Sequence, residues 1–128
     1  MTLTALSPDA LAVADWVAVC TMADLPPERG VAALVRGTQI AIVRTHDDRV
    51  FAVQQFDPYS DAMVISRGLV GTRGEAATIA SPMYKQVFDL ATGACLDPVG
   101  KEPITLRTWP VRIDGDLVSV GLSEDHGP

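Results

Sequence analysis

Residues able to do chemistry are few in this chain. Cys20, Cys95, His46 and His126 are its only thiols and imidazoles. A zinc site needs three or four such ligands at close spacing, and these four are scattered. No metal site is expected from them. Neither histidine neighbours a nucleophile motif, so Cys-His and Ser-His-Asp chemistry are not expected either. Asp57 and Asp61 are close in sequence, but turn formation accounts for both. Gly68, Gly71 and Gly74 recur every third residue, yet no helix follows to supply the N-terminal dipole that phosphate binding uses. A mobile glycine loop is the expectation there. Two short segments remain, Phe56-Asp57-Pro58-Tyr59-Ser60 and Ser81-Pro82-Met83-Tyr84-Lys85. Each contains an X-Pro step, which holds its first residue extended and suits a tight exposed loop. Together they look like two halves of one site.

Both loops follow β-like runs, Val50–Val53 and Ala77–Ala80. Further runs with strand character are Trp16–Cys20, Val31–Val35, Thr38–Val43, Gln86–Leu90, Ala94–Leu96, Leu106–Ile113 and Leu117–Val120. Arg36-Gly37, Ala91-Thr92-Gly93 and Asp114-Gly115 are hairpin signals between them, the last of the type I′ kind. Ile40 and Ile42 alternate with Ala41 and Val43, so both faces of that strand are apolar and it is expected to be central. Ser66–Gly74 reads as loop. Ser7-Pro8-Asp9 can cap a short helical turn over Ala10–Ala14, or begin a loose arm. Short strands at regular intervals with turns between them indicate an all-β sandwich or barrel.

At 128 residues, with 48 % hydrophobic residues, the chain fits one globular domain with a sizeable core. Its formal charge of -6 argues against nucleic acid and anionic membranes as partners. No apolar run approaches the length of a membrane span, and residues 1–14 lack the features of a secretory signal. Isolated cysteines fit reduced thiols in the cytoplasm. The expected layout is an arm at 1–14, a domain at 15–122 with a two-loop subdomain at about 56–90, and an acidic tail at 123–128.

The order of segments resembles a Rieske-type ferredoxin domain. Trp16 with Val19-Cys20, Asp24-Leu25-Pro26, Gly30-Val31 and Ile40–Arg44 are similar to its opening. Val50–Val53 resembles the strand into the first cluster loop. Pro82 with Phe88–Gly93 resembles the second loop and its hairpin, and Trp109–Val118 the closing hairpin. Three stretches narrow the match: Asp57–Ser60, Ser66–Gly71 and Ser81–Gln86 look like the small subunit of assimilatory NAD(P)H-dependent nitrite reductase. That group resembles the Rieske-like [2Fe-2S] ferredoxin fold without the cluster ligands.

The resemblance implies an antiparallel β-sandwich carrying a smaller two-loop subdomain. It places Asp57, Tyr59, Ser81 and Tyr84 at the positions of the Cys-x-His and Cys-x-x-His ligands. Rieske ligation takes two thiolates and two imidazoles, whereas these four offer a carboxylate, a hydroxyl and two phenols. No cluster on this chain is therefore expected. By resemblance the chain is a cytoplasmic accessory subunit without a catalytic site, in a complex that reduces nitrite to ammonium. Its partner, the large subunit, would carry FAD, sirohaem and an iron–sulfur cluster. Pro58, Tyr59, Arg67, Tyr84 and Lys85 are the candidate interface residues, since aromatic and Arg side chains are enriched in hot spots. An interaction module of another oxidoreductase and an electron-transfer ferredoxin are the alternatives.

Overall fold

The structure is a computed structural model that describes residues 13–123. Its strands, in chain order, are β1 (Val13–Thr21), β2 (Arg29–Val35), β3 (Thr38–Arg44), β4 (Val50–Gln54), β5 (Phe56–Asp57), β6 (Ala62–Met63), β7 (Leu69–Arg73), β8 (Ala76–Ala80), β9 (Val87–Asp89), β10 (Cys95–Asp97), β11 (Thr108–Trp109), β12 (Val111–Asp114) and β13 (Leu117–Ser123). Short 3-10 turns cover Met22–Asp24 and Ile65–Arg67. All pairing is antiparallel. The sheets run β1-β13-β12, β11-β4-β3-β2 and β10-β9-β8-β7, with β5-β6 as a small ribbon.

The middle sheet is covered on both faces, as the alternation in β3 requires. Ile40 and Ile42 enter one core cluster with Val118, Val120, Leu122, Ala52 and Trp109. Ala41 and Val43 enter the other with Ile65, Ile79, Phe88, Leu90 and Leu106. Each fully buried Ile, Val or Leu stabilises the fold by about 1.5–3 kcal/mol. The first cluster joins β3 to the sheet of the two chain ends. The second joins it to the β7–β10 sheet, from which the second loop hangs.

The Arg36-Gly37 turn closes β2 on β3 with positive φ at both residues, 49° and 84°. That is the requirement of the type I′ turn that matches strand twist. Four expectations need correction. First, Ser66–Gly74 is not a mobile loop: Ile65–Arg67 is a 3-10 turn, and Leu69–Arg73 is a strand paired with Ala76–Ala80. Second, Leu106–Ile113 is not one strand. Pro110 has no N–H to donate, and it divides Thr108–Trp109, paired with β4, from Val111–Asp114, paired with β13. Third, the last hairpin turns on Gly115-Asp116, because Asp114 pairs with Leu117. Only Gly115 has positive φ there, which is the type II′ pattern rather than type I′. Fourth, Val13 and Ala14 belong to β1 and not to a helical turn. The rest of the expected arm, and the tail beyond Ser123, lie outside the described residues.

Candidate functional site

The two Pro-bearing loops meet, and their closest link is between buried polar groups. Asp57 ends β5 and Ser81 follows β8, and both side chains are almost wholly buried, at 0 % and 1 % exposure. Ser81 Oγ donates to Asp57 Oδ2 at 2.5 Å. The other carboxylate oxygen, Oδ1, accepts the Tyr59 N–H at 2.9 Å. Ser81 Oγ in turn accepts the Met83 N–H at 3.2 Å, while Ser81 N–H donates to the Gln86 carbonyl at 2.8 Å. Asp57 thus caps its own loop and Ser81 its own, and one hydrogen bond ties the two. Their burial makes each bond hard to replace by water.

The other two positions point elsewhere. The Tyr59 hydroxyl donates to the Glu102 carbonyl at 2.6 Å and accepts the Ile104 N–H at 2.8 Å. It therefore pins the segment that precedes β11, and its ring packs on Phe88 with centroids 6.1 Å apart. Cys95 Sγ lies 3.6 Å from the same hydroxyl. Burial, then the contact with Cys95, pushes the Tyr59 phenol above its ordinary pKa. Tyr84 by contrast is 51 % exposed, beside exposed Met83 and Lys85. Lys85 holds φ at +70°, a left-handed conformation that costs an L-residue about 1 kcal/mol.

A third segment is fastened beside the first loop by residues that sequence reasoning did not single out. Buried Gln55 accepts the Ser66 N–H at 2.8 Å and donates to Ser66 Oγ at 2.9 Å and the Met63 carbonyl at 3.2 Å. Gly68 packs so tightly on β8 that an added Cβ would lie 2.3 Å from the Ala80 carbonyl oxygen. Arg67 is held exposed between these anchors, and Pro58 is half-buried. A polar Gln following a hydrophobic strand was the only sequence signal for the clamp, and it is a weak one. Gln86, fully buried in the second loop, was missed for the same reason.

Elsewhere the chemistry is sparse. His46 is exposed in the Thr45–Arg49 turn, and His126 lies outside the described residues. Cys20 and Cys95 are free thiols. Burial, then the Asp24 carboxylate, pushes the Cys20 thiol above its usual pKa, which weakens it as a nucleophile. Among the described residues no three His, Cys, Asp or Glu side chains are grouped to hold a metal ion. No helix among them is long and apolar enough to cross a membrane.

The donor set does not fit a Rieske cluster. Such a cluster takes two thiolates and two imidazoles. Here the two inner positions are a hard carboxylate and a hydroxyl bonded to each other at 2.5 Å. One outer position, Tyr59, is engaged with the backbone at Glu102 and Ile104. The arrangement instead makes a rigid, cross-linked pair of loops that presents Met83, Tyr84 and Lys85 outward.

The family described as Rieske-like [2Fe-2S] domain matches residues 15–121. The nitrite reductase (NADH) small subunit of Salmonella typhimurium is 35 % identical over 109 residues, covering 84 % of this chain and 98 % of that one. A stretch amounting to 11 % of the NAD(P)H nitrite reductase large subunit of Klebsiella oxytoca is 37 % identical over 106 residues, or 83 % of this chain. A crystal structure of a Mycobacterium tuberculosis protein, provisionally assigned as an NADH-dependent nitrite reductase small subunit, superposes with a TM-score of 0.77. It is 39 % identical and covers 84 % of this chain and 95 % of that one. The chain belongs to the Rieske-like [2Fe-2S] domain family, within its group of nitrite reductase small subunits.

Proposed function

We propose that this chain is the small accessory subunit of an NAD(P)H-dependent nitrite reductase, supporting a large subunit that reduces nitrite to ammonium. One observation carries the reading: a domain of this kind also occurs inside a nitrite reductase large subunit, that of Klebsiella oxytoca. The separate module, on this reading, meets the same partner surface as the covalent one. On this reading FAD, sirohaem and the iron–sulfur cluster reside on the large subunit. The small subunit binds no cluster and has no catalytic residue.

The loop pair supports a binding role. Its interior is closed by Asp57, Ser81 and Tyr59, so those loops are pre-organised before any partner arrives, which lowers the ordering cost of association. Its outside offers Met83 and Tyr84, each about half exposed, with Lys85 beside them. An aromatic and a flexible thioether on a fixed loop form a suitable apolar anchor.

Two measurements test the proposal. Co-expression with the large subunit should yield a complex through size exclusion, and Tyr84→Ala with Met83→Ala should weaken it at least tenfold. Failure of the wild-type chain to associate would remove the subunit reading. Iron and acid-labile sulfide should be absent from the purified chain after aerobic or anaerobic preparation. Stoichiometric amounts of both would overturn the cluster-free reading.

A further inference from the structure

The arginines divide unevenly over the surface. Arg36, Arg44, Arg49 and Arg73 form ion pairs with Asp15, Asp48, Asp47 and Asp97. Arg112 lies over the Trp16 ring and Arg107 over Trp109. That leaves Arg29 and Arg67, which have no ion pair and no ring contact among the described residues. Both are exposed, and both line one open groove of about 370 Å³ with Glu28, Gly30, Ser66, Gly68 and Leu69. Leu69, also lining it, is 78 % exposed, the highest value among the large apolar side chains of the described residues.

Two guanidinium groups without an ion pair thus share one groove in a chain of net charge -6. Each of the other arginines is engaged, four with aspartates and two over tryptophan rings. Glu28 shares the groove but forms a salt bridge with neither arginine. The floor is rigid: a Cβ on Gly30 would lie 2.6 Å from the Ser66 carbonyl oxygen, and Gly68 is equally tight on β8. The two arginines are therefore presented from backbones in close contact. Guanidinium forks suit paired carboxylates, and an exposed leucine beside them suits an apolar residue on the same ligand. A small inorganic anion would have no use for Leu69.

We infer that the Arg29–Arg67–Leu69 groove is a docking surface for an acidic segment of the large subunit, one bearing two carboxylates and an adjacent apolar side chain. This rests on the subunit reading above and adds the chemistry of the contact. The groove supplies charge complementarity, and the Met83–Tyr84 loop supplies apolar anchoring.

The test uses the co-expressed complex. Arg29→Glu with Arg67→Glu should raise the dissociation constant at least tenfold, and should flatten its dependence on salt between 50 and 500 mM sodium chloride. Leu69→Ser should weaken binding without changing the salt dependence. Arg36→Glu, on a surface arginine paired with Asp15, serves as the charge control and should stay within twofold. Thermal transitions of the double variant should match the wild type, because both side chains are exposed. If the wild-type chain binds and the double reversal binds within twofold, the groove is overturned and the subunit reading stands. If the wild type itself does not bind, both fall. If instead the reversal alters only self-association of this chain, the occupant is a second copy and the inference is wrong.

Discussion

Replacing Ser81 by Ala tests the loop cross-link directly. The substitution deletes one oxygen and keeps the Cβ, so packing changes little. It removes the donor to Asp57 Oδ2 at 2.5 Å, in a place where both side chains are almost wholly buried. Hydrogen bonds to a charged group contribute about 1.5–3 kcal/mol. The Met83 N–H, at 3.2 Å, loses its acceptor as well, whereas the Tyr84 N–H at 3.5 Å is too distant to add much. Asp57 keeps the Tyr59 N–H on its other oxygen, which limits the penalty. The expected loss is about 2–3 kcal/mol, and at about 4 °C per kcal/mol the melting temperature should fall by about 8–12 °C. Urea denaturation with an unchanged m-value is the assay. A double-mutant cycle with Asp57→Ala should return a coupling of about 1–3 kcal/mol. A loss under about 0.5 kcal/mol for Ser81→Ala, or additivity in the cycle, would refute the idea that this contact holds the loops together.

Other positions give further tests. Gly68→Ala places a Cβ 2.3 Å from the Ala80 carbonyl oxygen, so it should destabilise the domain by more than about 3 kcal/mol, read by the same denaturation curves. Lys85→Gly should stabilise it, by up to about 1 kcal/mol, because φ is +70° there. Tyr59 is held above its ordinary pKa by burial and by Cys95, so the folded state favours the neutral phenol. That contribution is complete below the unfolded phenol's value near 10 and is lost as pH rises through the higher folded value. Alkaline unfolding followed by circular dichroism should therefore be steeper for the wild type than for Tyr59→Phe. The same variant should increase hydrogen exchange at Ile104, whose N–H donates to the Tyr59 hydroxyl.

Much of the framework was readable from residue order because it depends on local pattern. Apolar residues on both faces of Ile40–Val43 can only be satisfied by cover on both sides, and β3 does contribute to both core clusters, as does β4. Arg36-Gly37 closed the hairpin where it was expected. The resemblance carried by Asp57–Ser60, Ser66–Gly71 and Ser81–Gln86 pointed to the family that the comparisons support.

Tertiary structure decided what local pattern could not. Ser66–Gly74 has too many glycines to look ordered, yet Gln55 and the tight approach of Gly68 to Ala80 fix it, and both constraints come from residues distant in sequence. Pro110 splits what reads as one strand because its two halves reach different sheets. Residue types alone excluded thiolate and imidazole ligands at 57, 59, 81 and 84. Only the fold turned Asp57 and Ser81 into mutual partners and sent the Tyr59 hydroxyl to the Glu102–Ile104 backbone, because hydrogen-bond partners are set by three-dimensional proximity. Arg29 and Arg67 are 38 positions apart by their numbers, and nothing in the chain order joins them. Their shared groove exists because β2 packs against the 3-10 turn at Ile65–Arg67, with Gly30 the only residue type small enough to let it.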